Sequence, residues 1–133
     1  LGFIPHDELL AESLLKLGDI FVTASKSENQ PISVLEAMAE GLTVIGPNAQ
    51  GLKEMIRPGE NGYHFAPDDT EGLAAAMLKF AVLSGDTKQS MSESAREFAR
   101  QNSLGASIDQ LESIYQSLTG SPIKQDRRSL TAA

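Results

Sequence analysis

Residues 25–46 are SKSENQPISVLEAMAEGLTVIG, and this stretch decides the fold of the chain. It predicts a loop, a short helix over residues 31–40 and a strand over residues 42–45. Pro31 suits the first turn of a helix, because its missing N–H would have no partner there. Gly41 suits the left-handed position just past a helix end. The predicted helix is therefore marked at both ends.

The polar residues of this helix are predicted to lie on one stripe. Ser33, Glu36 and Glu40 share that stripe at a period of 3.6 residues. The apolar residues expected to cover the rest of the helix are Ile32, Val34, Leu35, Ala37, Met38 and Ala39. Glu36 would then occupy the only open face of an otherwise buried helix, where a carboxylate must be hydrated, paired or hydrogen-bonded. A water-facing helix edge and a ligand site both fit this pattern.

Strands and helices alternate on both sides of the stretch. Apolar segments at residues 1–4, 19–24 and 63–65 have the length of buried parallel strands, and helical patterns occupy residues 8–17 and 51–56. This alternation predicts an α/β fold with a parallel, Rossmann-like sheet. Ligands of such sheets bind beyond the carboxyl ends of the strands.

The second half of the chain is predicted to be helical. Helices are expected near residues 68–83, 87–101 and 104–118. Two apolar stripes are expected in the core. The first consists of Leu73, Met77, Phe80 and Ala81. The second consists of Ile108, Leu111, Ile114, Tyr115 and Leu118. Residues 119–133 are polar and unpatterned, so we expect a disordered tail.

Composition excludes several classes of function. The 133 residues suit one domain, and the net charge of −7 argues against binding of nucleic acid, which needs a basic face. The chain has no cysteine, so a disulfide scaffold and a thiolate metal site are excluded. Neither a signal peptide nor a membrane-spanning run is recognisable, and we expect a cytoplasmic location. Because the sequence opens with Leu1 in a predicted strand, we expect a fragment of a longer polypeptide.

The spacing of two glutamates gives the sequence a family resemblance. Glu28 and Glu36 are separated by seven residues, which resembles the Glu-x7-Glu signature of the retaining, nucleotide-sugar-dependent glycosyltransferases of the GT-B fold. The blocks EAMAEGLTVI at 36–45, GLKEMI at 51–56 and GENGYHFAP at 59–67 follow in the order of that family. The resemblance covers about residues 1–118, and it implies the C-terminal, donor-binding part of such an enzyme.

The resemblance also implies roles for single residues. Glu36 would bind the ribose of the donor, and Glu28 would be the catalytic residue near the transferred sugar. This agrees with charge, because carboxylates accept hydrogen bonds from hydroxyls and repel phosphates. The backbone N–H groups of Ile32, Ser33 and Val34 at the start of the helix could bind the diphosphate or sugar oxygens. Pro31, which opens the helix, is counted with these donor-binding residues, and Gln30 could add a side-chain contact.

The sequence departs from the family pattern in two places. Asn29-Gln30-Pro31 follows Glu28 where Gly-Phe-Gly is common, and Gln50-Gly51 replaces the usual Gly-Gly. Both departures concern the backbone of the loops around the sugar. The identity of the donor is therefore not predicted.

The remaining expectations concern chemistry and partners. The resemblance implies no protein nucleophile, no cofactor and no metal, and it places the basic residues for the diphosphate upstream of this chain. Lys26 is expected to be a solvated surface residue, and His6 and His64 are expected to be structural. The acceptor, a sugar, lipid or other hydroxyl compound, would be held by a missing N-terminal domain, through which peripheral membrane association stays open. A nucleotide-sugar epimerase of the same architecture and a non-catalytic α/β interaction module are the alternatives.

Overall fold

A computed structural model describes residues 14–27 and 29–119 of the chain. Several sequence predictions fall outside the described residues. They concern the strand at 1–4, most of the helix at 8–17, His6, Glu28 and residues 120–133 of the tail. A 3-10 helix at Leu14–Leu17 is followed by β1 (Ile20–Val22), α1 (Ile32–Ala39), β2 (Thr43–Pro47), α2 (Gln50–Met55), β3 (Gly62–Phe65), α3 (Thr70–Ala81), α4 (Gly85–Gln101) and α5 (Leu104–Thr119).

The three strands form one parallel sheet in the order β1-β2-β3. Ile45 of β2 pairs with Val22 on one side and with Tyr63 on the other. All five residues of β2 are buried, as expected for a central parallel strand with both faces covered. The parallel α/β sheet followed by C-terminal helices is therefore confirmed. The strands differ from the predicted ranges by up to two residues at their ends.

The core has two parts because successive residues of β2 point to opposite faces of the sheet. Val44 belongs to a cluster with residues of α1, α2 and α4, namely Val34, Met38, Leu52, Met55, Ile56, Ala95, Phe98 and Ala99. Ile45 belongs to a cluster with residues of β3, α3 and α4, namely Tyr63, Phe65, Ala76, Phe80 and Met91. Helix α4 contributes to both clusters and so joins the two faces of the sheet.

The end of α1 follows the predicted glycine pattern. Gly41 has a φ of 85°, and its N–H donates to the carbonyl of Met38 at 2.9 Å. The N–H of Leu42 donates to the carbonyl of Ala37 at 2.9 Å, which completes a Schellman motif. The guanidinium of Arg96 on α4 donates to the carbonyl of Glu40 at 3.0 Å, so the negative end of the α1 dipole meets a positive charge.

The start of α1 differs from the prediction by one residue. Pro31 has a ψ of 120°, so it is the N-cap and not the first helical residue. Its carbonyl accepts the N–H of Val34 at 3.1 Å and that of Leu35 at 3.4 Å. A residue at the N-cap keeps extended backbone angles while its carbonyl accepts the first helical bond, which is the geometry observed for Pro31.

The open face of α1 is wider than predicted. Ile32 is 70% exposed and Ala39 is also exposed, although both were expected to be covered. Val34, Ala37 and Met38 form the buried face, and Glu36 lies half-buried on the opposite side. The expectation of an otherwise buried helix was wrong because, in the described part of the chain, α1 packs on β2 and α4 through one side.

The apolar stripes of the C-terminal helices are less buried than predicted. Phe80 of α3 is buried, but Met77 is 41% exposed and Ala81 is also exposed. In α5, which belongs to a second unit that begins at Asn102, Leu111 and Leu118 are 62% and 80% exposed. A helical period identifies the face that can be covered, but it does not show that another element covers it.

Candidate functional site

The loops that leave the carboxyl ends of the three strands form the candidate site. The N–H of Asn48, after β2, donates to the carbonyl of Phe65 at the end of β3 at 2.8 Å. The N–H of Thr23, after β1, donates to the carbonyl of Ile45 in β2 at 3.0 Å. The backbone pairing of the sheet thus extends to the start of these loops and places them side by side.

Gly51, in the first turn of α2, contacts the loop that follows β1. A Cβ at this position would overlap the carbonyl oxygen of Asn29. Only glycine allows this close approach of two backbones. The family resemblance drew attention to Gln50-Gly51, and the structure shows a steric reason why position 51 is glycine. Gln50 has a φ of 39°, so it occupies the left-handed region that glycine adopts more easily.

A third contact joins the loop after β1 to the loop after β3. The Nζ of Lys26 lies 2.8 Å from one carboxylate oxygen of Asp68 and 2.9 Å from the other. The side chain of Lys26 is 52% exposed and that of Asp68 is 78% exposed. Lys26 was expected to be a solvated surface residue, and the structure pairs it with Asp68. No local pattern predicts a contact between residues 42 positions apart.

The start of α1 opens toward this edge of the sheet, because it follows the loop from the carboxyl end of β1. Pro31 has no side-chain donor or acceptor, and α1 begins without a side-chain cap. The first amide groups of such a helix have no carbonyl partner within the helix, which favours an anion or a polar oxygen there. Ile32 and Ser33 occupy this first turn with exposed side chains. Val34 differs, since its side chain is buried and its N–H donates to Pro31.

The other predicted site residues have different surroundings. Gln30 is exposed just before the N-cap of α1. Glu36 lies one helical turn after Ile32 and Ser33, and the helical period puts the three side chains on the same side of α1. Glu28 lies outside the described residues, so the structure does not show its distance to Glu36.

His64 has a structural contact. Its Nε2 donates to the carbonyl of Ile56 at 3.0 Å, and the side chain is half-buried on β3. This supports the structural role expected for His64. Among the described residues, no three His, Asp or Glu side chains are grouped as metal ligands would be.

A cleft of about 410 Å³ lies away from these candidates, at the amino ends of β1 and β2. Asp19, Gly41, Lys88 and Arg96 contribute to its lining. The amine of Lys88 donates to the carbonyl of Ala81 at 3.0 Å, and Arg96 donates to Glu40. The basic groups of this cleft therefore already have carbonyl partners in the protein.

Comparison with known proteins gives the family. The model of the family described as "Glycosyl transferases group 1" matches residues 1–98. The chain belongs to this family. The N-acetyl-alpha-D-glucosaminyl L-malate synthase of Bacillus anthracis is similar, with 32% identity over 114 residues, which are 85% of this chain and 29% of that protein.

Solved structures of other proteins have the same fold. A glycosyltransferase from Rickettsia africae has a TM-score of 0.75 and 28% identity, over 90% of this chain and 32% of that one. The Anabaena protein Alr3699/HepE, in complex with UDP, has a TM-score of 0.66 and 23% identity, over 81% of this chain and 29% of that one. The chain thus spans about 30% of the length of the curated relatives it matches first. None of the helices in the described part of this chain has the length and apolar character needed to cross a membrane.

Proposed function

We propose that the chain is the donor-binding part of a retaining glycosyltransferase that uses a nucleotide-sugar. Residues 1–118 would form this part, and the acceptor would be held by other parts of the protein. The observation that carries the proposal is the open face of α1, where Ser33 and half-buried Glu36 follow an uncapped helix start at the carboxyl edge of the sheet. Membership in the group 1 family supports transfer over epimerisation and over a non-catalytic role.

Charge suggests which part of the donor each group of this site would bind. Glu36 repels phosphate and accepts hydrogen bonds, so it suits the hydroxyls of the ribose. The amides of Ile32 and Ser33 suit the diphosphate or sugar oxygens, and Gln30 is exposed beside them. Glu28 would lie near the transferred sugar. The Anabaena protein of the same fold was solved with UDP, which supports a nucleotide donor.

The mechanism follows from what the site contains. The charge that develops on the leaving diphosphate needs cations. At the carboxyl edge, within the described residues, Lys26 already faces Asp68, so further positive charge would come from other parts of the protein. Retention of configuration would use no enzyme nucleophile, and the departing phosphate would help to deprotonate the acceptor. The chain alone would show no turnover.

A titration of the complete protein tests the proposal. Uridine, guanosine and adenosine diphosphate sugars are titrated calorimetrically into the unmodified protein and into the variants Glu36→Ala and Glu40→Ala. Removal of a carboxylate that accepts hydrogen bonds from the donor should weaken binding about 10- to 100-fold. Glu40 lies one turn further along the same helix and away from the carboxyl edge, so its variant should bind normally.

The contrary results are equally clear. If no nucleotide-sugar binds, or if both variants bind as the unmodified protein does, the donor site at α1 is wrong. The stereochemistry is tested separately, by proton NMR of the anomeric centre of the first product. An inverted centre would contradict the retaining mechanism.

A further inference from the structure

The loop after β1 (residues 23–31) contacts two other parts of the structure. Lys26 contacts both carboxylate oxygens of Asp68, at 2.8 and 2.9 Å. Three residues further along the loop, Asn29 touches Gly51 of α2. Lys26 and Asn29, on either side of Glu28 in the sequence, thus contact the loop after β3 and the first turn of α2.

Asp68 lies in a hydrogen-bonded turn just before α3. Asp69 caps α3, with its Oδ1 accepting the N–H of Gly72 at 2.8 Å. The N–H of Asp69 also donates to the carbonyl of Ala66 at 3.0 Å. Asp68 lies inside this turn with a φ of 67°, a left-handed conformation that is unfavourable for most residues but tolerated by Asp. The turn therefore constrains the backbone at Asp68, from which the carboxylate reaches Lys26.

The Lys26 end lies in the segment between β1 and α1. Near the end of β1, the N–H of Ser25 donates to Oγ1 of Thr23 at 3.2 Å. The ion pair adds a tertiary contact to this segment. An exposed ion pair contributes little to global stability, so its effect should be local.

We propose that Lys26 and Asp68 are positioning residues, and that their ion pair fixes the loop after β1 against the loop after β3 for donor binding. The inference rests on the proposed function, because it assigns the loop to the donor site. Neither side chain needs to touch the donor. Loss of the pair should weaken binding through a less ordered loop.

A double-mutant cycle in the complete protein tests this inference. The variants are Lys26→Met, Asp68→Asn and the double variant, with Lys26→Arg as the conservative change that keeps the charge. Lys26→Met and Asp68→Asn should each raise the KM for the nucleotide-sugar about two- to five-fold, while kcat stays nearly constant. The double variant should be no worse than either single one, because both remove the same contact. Lys26→Arg should keep most of the affinity that the unmodified protein has for the nucleotide-sugar.

The control is another exposed ion pair. Arg57 and Glu60 are 3.1 Å apart, with side chains 52% and 55% exposed, and they lie in the turn before β3. Glu60→Gln should leave both KM and kcat unchanged. This control separates an effect of the loop from a general effect of removing a surface charge.

Three results would overturn the inference. If Lys26→Met raises KM and Asp68→Asn does not, Lys26 binds the donor directly. If the single effects add in the double variant, the two residues act separately. If neither change alters KM, the pair has no positioning role. These results differ from a failure of the proposed function, in which the unmodified protein would bind no nucleotide-sugar.

Discussion

Replacement of Asn61 by alanine should be among the most destabilising single changes in the turn before β3. Asn61 is 1% exposed, and its Oδ1 accepts the N–H of Arg57 at 2.7 Å. Its Nδ2 donates to the carbonyl of Met55 at 3.1 Å. The side chain thus connects the end of α2 to the start of β3. Its own carbonyl accepts the N–H of Val44, which ties the same residue to the central strand.

The expected magnitude follows from these two side-chain bonds. Alanine at position 61 keeps the backbone contacts but leaves the Met55 carbonyl and the Arg57 N–H without their partners. A buried group that loses its partner costs about 1–3 kcal/mol, and a group near the surface costs less because water reaches it. The Met55 carbonyl is in the buried part of the turn, and Arg57 is partly exposed. We expect a loss of about 2–4 kcal/mol, a large share of a typical domain stability of about 5–15 kcal/mol.

Urea unfolding followed by far-ultraviolet circular dichroism measures this loss. The matched control is Glu60→Ala, the neighbouring position, where the side chain is exposed and forms an ion pair with Arg57 at 3.1 Å. That change should cost less than about 1 kcal/mol. If Asn61→Ala costs no more than Glu60→Ala at an unchanged m-value, the argument that Asn61 organises the turn is refuted.

Two further predictions concern single contacts. Gly51→Ala should abolish tight binding of a nucleotide-sugar to the complete protein, because a Cβ there overlaps the Asn29 carbonyl and the loop must move. Calorimetric titration measures this binding, and the control Gly85→Ala, at a glycine with open space around it, should bind normally. The hydrogen bond from Arg100 holds the pKa of Glu97 at about 2, below its usual 4.5. Stability from this pair is therefore present above pH 4.5 and is lost as the pH falls toward 2, and carbon-13 NMR of Arg100→Gln should show the Glu97 carboxyl titrating closer to its ordinary pKa.

Features governed by a few adjacent residues could be predicted from the sequence. Gly41 was expected in a left-handed position past a helix end, and it has that conformation. The parallel sheet was expected from apolar runs of strand length that alternate with helical patterns, and the structure has it. These rules work because backbone sterics and hydrogen bonding act over a few residues. The family resemblance found the loops at the carboxyl edge for a different reason, since it compares whole blocks of sequence.

Features that depend on distant parts of the chain could not be predicted. The ion pair of Lys26 joins it to a residue 42 positions away, and neither sequence neighbourhood indicates it. Ile32 looked like a core residue by its type and period, yet it is 70% exposed because α1 packs through its other side. Burial depends on which elements meet, and periodicity does not contain that information.

The left-handed residues in the described part of the chain are distributed unevenly between the two edges of the sheet. Gly41 and Gly59, which precede β2 and β3, are the left-handed residues at the amino edge. Gln50 and Asp68, which follow the same strands, are left-handed at the carboxyl edge. A residue with a Cβ costs about 1 kcal/mol more than glycine in this conformation. Strain of this kind persists where surrounding structure enforces it, often at functional sites. At position 68 the side chain pairs with Lys26, which glycine could not do. This ion pair lies at the carboxyl edge, where parallel sheets generally bind their ligands.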